Sequence, residues 1–146
     1  MTEVASWRRG FQSVTAVIAG FAVTAVLSVA VDALLHALQI FPKWGDPIPD
    51  SPLMVALAYR AAFTVLGGYT TARLAPNRPM AHVWTLVYIG FLAATAGTLA
   101  TWNGGARYGP HWYSIALIVT AIPCILLGGR LHELVQSRAA DPARKA

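Results

Sequence analysis

The segment Gly20-Phe21-Ala22-Val23-Thr24-Ala25-Val26-Leu27-Ser28-Val29-Ala30-Val31-Asp32-Ala33-Leu34-Leu35-His36 decides how this chain folds. Gly20, Thr24, Ser28, Asp32 and His36 recur every fourth residue, and everything between them is Val, Ala, Leu or Phe. On a helix, residues four apart share one slowly drifting face. The segment therefore reads as a helix that is apolar almost all round, with a single seam of small and polar residues ending in a carboxylate and an imidazole. An apolar helix of this length is a bilayer crossing, and an ionisable residue inside such a crossing marks a functional-site candidate.

The rest of the chain extends the same pattern. Of its 146 residues 56% are hydrophobic and 12% are charged, a balance that belongs to membrane proteins rather than to soluble domains. Four apolar windows of the ~20 residues that a crossing needs follow one another, about Phe11 to Leu38, Leu53 to Leu74, Met80 to Trp102 and His111 to Leu131. Only short connections and a polar tail over 135–146 remain, so the expected architecture is a single all-α membrane domain, an integral four-helix bundle of antiparallel up-down crossings. Arg8, Arg9, Arg73, Arg78, Arg130, Arg138, Arg144 and Lys145 flank the windows on one side, whereas the two opposite loops carry only Lys43 and Arg107. This asymmetry predicts that both termini are cytoplasmic. The lead with Trp7, Arg8 and Arg9 resembles the start of a signal peptide, but the apolar run after it exceeds the usual h-region, and an uncleaved first helix is expected. The basic residues form no stripe interleaved with aromatics, which argues against nucleic acid as a partner. The lone Cys124 lies within the fourth window and reads as a small core residue.

The connections supply start and stop signals. Pro42, Pro47, Pro49 and Pro52 preclude helix between the first two windows, where Phe41 and Trp44 are expected at the outer interface and Asp50 or Ser51 as a helix cap. Pro76 and Pro79 bracket a tight turn. The third connection is rich in glycine from Gly104 to Gly109 and is flanked by an aromatic belt of Trp102, Tyr108, Trp112 and Tyr113. Pro123 is expected to kink the fourth helix, and the tail from Val135 to be disordered. Small residues at spacing four appear in every window, and Leu66-Gly67-Gly68 is echoed by Leu127-Gly128-Gly129. Such faces suit close helix contact and leave room for self-association into a homo-oligomer.

Asp32 is the only acidic residue inside a window and Arg60 the only basic one well inside. Counted at 1.5 Å per residue, they lie ~9 and ~10 Å below the outer ends of antiparallel neighbours, so an ion pair is expected between them. His36, Tyr59, Asn103 and His111 fall near the same level and complete a candidate polar cup of Asp32, His36, Tyr59, Arg60, Asn103 and His111. Three readings compete. The pair fixes helix register, or the cup binds or transports a small ligand or ion, or His36 and His111 hold a haem in a haem- or quinone-linked redox protein. His82 and His132 read as interfacial and solvated or capping. No phosphate loop, Gly-x-Ser-x-Gly, paired cysteine or His-Glu-x-x-His motif is present, so no catalytic residue, metal site or cofactor is expected.

Phe41-Pro42-Lys43-Trp44-Gly45, Tyr59-Arg60, Gly67-Gly68-Tyr69-Thr70-Thr71-Ala72-Arg73-Leu74-Ala75-Pro76, Thr101-Trp102-Asn103 and Gly109-Pro110-His111-Trp112-Tyr113 carry a whole-chain likeness. On these stretches the chain resembles a family of small, uncharacterised bacterial four-helix inner-membrane proteins. That resemblance implies the location and topology and transfers no activity. The leading expectation is a non-enzymatic structural or interaction protein in contact with the lipid bilayer, its ligand, if any, unknown.

Overall fold

The computed structural model describes residues 2–43, 46–105 and 108–140, with side chains from Trp7 onward. The expected places of Trp44, Arg107, Arg144 and Lys145 lie outside the described residues. Four helices run in order, α1 Thr2–Ala37, α2 Asp50–Leu74, α3 Pro79–Thr101 and α4 His111–Ala140, with no strand among the described residues. Each is long and apolar enough to cross a membrane, yet only 17% to 28% of its most apolar window is buried inside the protein. Phe11, Ile18, Val26, Leu92, Leu99 and Val119 point outward. An apolar surface of this extent is stable only against lipid, and the chain is a multi-pass membrane protein.

Helix boundaries depart from the apolar windows at both ends of the chain. α1 begins at Thr2 rather than near Phe11, and α4 continues to Ala140 where a disordered tail was expected from Val135. Hydropathy marks the part of a helix that lipid must cover, while a helix beyond the bilayer needs only its own backbone bonds and local side-chain support. Arg130 and Glu133, 3.6 Å apart at i,i+3, give such support in α4. The α2 start is also different. Pro49 takes the cap position in extended geometry with no side-chain cap bond, and the Asp50 carboxylate instead accepts the Trp112 indole N–H at 3.1 Å.

Turn chemistry closes the other ends. Past α1, Gln39 adopts φ 58°, and the N–H groups of Ile40 and Phe41 return to the Leu35 carbonyl at 3.0 and 3.1 Å. This reversal places Phe41 inside, against Leu53, Ala56 and Tyr113, rather than at the interface. Ala75 is extended, as a residue before proline should be. Arg78 is left-handed at φ 40°, and Pro79 then opens α3.

α2 is the central helix, with α1 antiparallel on one side and α4 parallel on the other, while α3 packs mainly on α4 and α1 barely meets α4. Glycines set these distances. A Cβ on Gly20 would overlap the Thr71 side chain and the Gly67 carbonyl oxygen, and one on Gly68 would overlap the Ile125 carbonyl. A Cβ on Gly128 would meet the Val65 carbonyl in turn. The two Leu-Gly-Gly stretches thus face each other across the α2–α4 contact. Val17, Ala72, Val83, Leu86, Val87 and Ile125 form the apolar cluster at the level of this crossing. α3 contributes to it only through its first half, for no residue from Tyr88 to Thr101 is buried.

Gly68→Leu should lower stability by about 1–3 kcal/mol or more, because backbone of α4 stands where the side chain would go. Gly97→Ala, whose Cβ meets nothing within 4 Å, should leave it unchanged within about 0.5 kcal/mol. Reversible unfolding in mixed micelles measures both.

Candidate functional site

Asp32 sits on α1 a little more than one turn from its end, where the four-residue seam faces α2. One carboxylate oxygen accepts the Tyr59 hydroxyl, and the other accepts an Arg60 guanidinium N–H. Tyr59 and Arg60 are consecutive residues about 100° apart around α2, so they grip the carboxylate from two sides. The Asp32 and Arg60 side chains keep only 17% and 31% of their exposure. Arg60 Nε is buried with no hydrogen-bond partner among the described residues.

Polar groups continue inward along both helices. The Thr64 hydroxyl donates to the Arg60 carbonyl at 2.7 Å. The Thr24 hydroxyl lies 3.2 Å from the carbonyls of both Gly20 and Phe63, joining a side chain of α1 to the backbone of α2. Between Thr24 and Asp32 on the same seam stands Ser28, 5% exposed.

Towards the connecting loops, Asp32, His36, Lys43, Asp46, Arg60 and Tyr113 line a cavity of about 240 Å³. Its two carboxylates and two cations balance. His36 is turned by a bond from its Nδ1 to the Asp32 carbonyl at 2.8 Å and rests edge-on against Phe41. Four of the six expected cup residues, Asp32, His36, Tyr59 and Arg60, are therefore together. Asn103 and His111 line a separate cleft with Trp102 and Asp50. There the His111 ring stacks on Trp102 at 4.0 Å, and its Nε2 donates to the Trp102 carbonyl at 3.0 Å, which ties the end of α3 to the start of α4. His36 and His111 consequently line different cavities.

Lys43, Asp46 and Tyr113 are the cavity residues that the sequence reading missed. Tyr113, expected among the interfacial aromatics, is 9% exposed in the loop-side cluster. A position two residues into α4, following an aromatic at Trp112, gave no signal for which ring turns inward. Lys43 and Asp46 lie in a proline-rich loop whose path periodicity cannot trace. His132 is another correction. It is buried to 5% exposure and packs edge-on against Tyr69 at 5.4 Å, rather than lying in the interface.

A second cavity of about 290 Å³ lies on the inner side of Arg60, with Phe21, Ser28, Thr64, Leu86 and Ala121 among its lining residues. Among the described residues no group of three His, Cys, Asp or Glu could hold a metal ion. What the arrangement can do chemically is donate hydrogen bonds from fixed positions in a low-dielectric setting, where each is stronger than in water. No family model, curated protein or solved structure matches the chain.

Tyr59→Phe and Thr24→Val should each cost about 0.6 kcal/mol and at most about 1.7 kcal/mol, the span for interhelical hydrogen bonds in bilayers. Asn103→Ala, at an exposed position, should cost less than about 0.5 kcal/mol. Unfolding midpoints of the three purified variants check the order.

Proposed function

We propose that this is a non-enzymatic structural or interaction protein of a bacterial inner membrane, with both termini in the cytoplasm, that self-associates through α3. The observation that carries this reading is the uncovered small-residue stripe in the second half of α3. Ala93, Ala96, Gly97 and Ala100 are all exposed, and nothing lies within 4 Å of a Cβ built on Gly97. On α1, α2 and α4 the glycines of the small-residue faces are used inside the bundle, at Gly20, Gly67, Gly68 and Gly128. The same kind of face is left open on α3. Small residues four apart let two helices approach closely in lipid, and a second copy of α3 is a matching surface. Within this role the Asp32–Tyr59–Arg60 triad fixes α1 against α2. Arg8, Arg9, Arg73, Arg78, Arg130 and Arg138 all cluster near the ends that carry the termini and the α2–α3 turn, which supports the orientation.

Disulfide trapping in native membranes tests self-association. With Cys124→Ser as background, Ala100→Cys should give a covalent dimer, and adding Gly97→Leu should abolish it. Monomer alone in the first variant would contradict the proposal.

A second reading, a small-ligand or ion binding or transport protein, is favoured by one observation. The triad is not sealed: its Asp32 and Arg60 line the loop-side cavity, where Lys43, Asp46 and His36 add further polar groups. Mass analysis of what co-purifies in mild detergent distinguishes the two. A molecule retained by the wild type and lost in Asp32→Asn supports binding, and its absence leaves the triad as a helix tie.

A further inference from the structure

The cavity on the inner side of Arg60 lies within the membrane-spanning part of all four helices. α1 supplies Phe21, Thr24 and Ser28, α2 supplies Arg60 and Thr64, and Leu86, Gly90, Leu117, Ala121 and Ile125 come from α3 and α4. Its volume, about 290 Å³, is close to the ~300 Å³ at which small-ligand pockets begin. The wall is apolar towards α3 and α4 and polar only along the seam shared by α1 and α2.

The polar groups of that seam are not equivalent. Thr24 and Thr64 spend their hydroxyl protons on backbone carbonyls. Ser28 is 95% buried by its 5% exposure, lines the cavity, and has no hydrogen-bond partner among the described residues. Arg60 Nε is likewise buried without a partner. A hydroxyl left unpaired in hydrocarbon is costly, and a ligand acceptor removes that cost, while Arg60 adds a donor-rich side chain to the same wall. Charge selects the kind of acceptor. The Arg60 cation is already met by Asp32, so an incoming anion would add an unpaired negative charge beside a carboxylate. A neutral carbonyl oxygen would not.

We infer that this intramembrane cavity is a binding site for a neutral, lipid-soluble carbonyl compound, held by hydrogen bonds to Ser28 and Arg60 with its apolar body against α3 and α4. Access is lateral, along the side between α1 and α3, because α3 leaves the core beyond Val87. Two membrane sources share this chemistry, the head ring of a prenylquinone and the acyl ester of a neutral lipid. The site is formed within one chain, with Ala93 at its edge shared with the α3 stripe.

Full-length protein in phosphatidylcholine nanodiscs, analysed by native mass spectrometry, tests the inference with three probes. These are a decyl-substituted benzoquinone, dioctanoylglycerol and decanoate. One equivalent of either neutral probe should bind, and decanoate should bind at least about tenfold more weakly. Binding of the quinone alone, or of the glyceride alone, supports the site and names its source. Ser28→Ala should weaken the bound probe about fivefold, the value of one hydrogen bond. Ala121→Phe, which fills the cavity from α4, should remove binding while leaving α3 crosslinking intact. If Ala121→Phe fails to fold, Ser28→Ala decides alone. Neither neutral probe binding, decanoate binding as well as they do, or unchanged affinity in a folded Ala121→Phe or in Ser28→Ala would overturn the assignment.

Discussion

A carboxylate inside a bilayer is tolerated only where another group answers it, and in this protein that requirement falls on Asp32. Inserting Asp or Arg at the centre of a crossing costs about 2.5–3.5 kcal/mol each. The position of α1 on α2 must therefore bring both charges together. Three contacts along that interface serve this end. The Gly20–Gly67 approach sets the separation at one level. Thr24 reaches the Phe63 carbonyl further along, and Asp32 takes Tyr59 and Arg60 nearest the loops. A shift of one residue between the helices would break all three at once, so the polar pair and the glycine contact specify the same register.

From α2 the remaining architecture follows. Its adjacent glycines, Gly67 and Gly68, look to opposite neighbours, one to α1 and the other to α4, which is how a single helix can be the centre of the bundle. α4 then offers Gly129 to Met80 and Val83, and α3 docks there through its first half only. Both features on which function is proposed, the open stripe of α3 and the cavity inside Arg60, arise because the second half of α3 stands away from this centre.

Much of this was legible in the sequence, and the reasons are physical. Four crossings follow from apolar length, because lipid imposes the same demand on every residue of a span. The Asp32–Arg60 pair follows from depth, since two charges at equal distance from one short connection have few other partners. Tyr59 joined the cup by adjacency to Arg60 and does bind Asp32. What could not be read depends on side-chain direction and loop path. His111 and Asn103 share the depth of the pair but face a different cleft, and Phe41, Tyr113 and His132 turn inward although their positions suggested the interface. Periodicity gives a face only once the neighbour is known, and the proline-rich connection hides which of its charges return over the bundle.

The coupling between Asp32 and Arg60 is the most direct measure of the account. In a double-mutant cycle of Asp32→Asn, Arg60→Met and the double variant, followed by reversible unfolding in bilayers, each single change should cost about 3–5 kcal/mol, because each strands the other polar group. The double variant should cost no more than either single one. Losses that simply add would contradict the claim that these two residues tie α1 to α2.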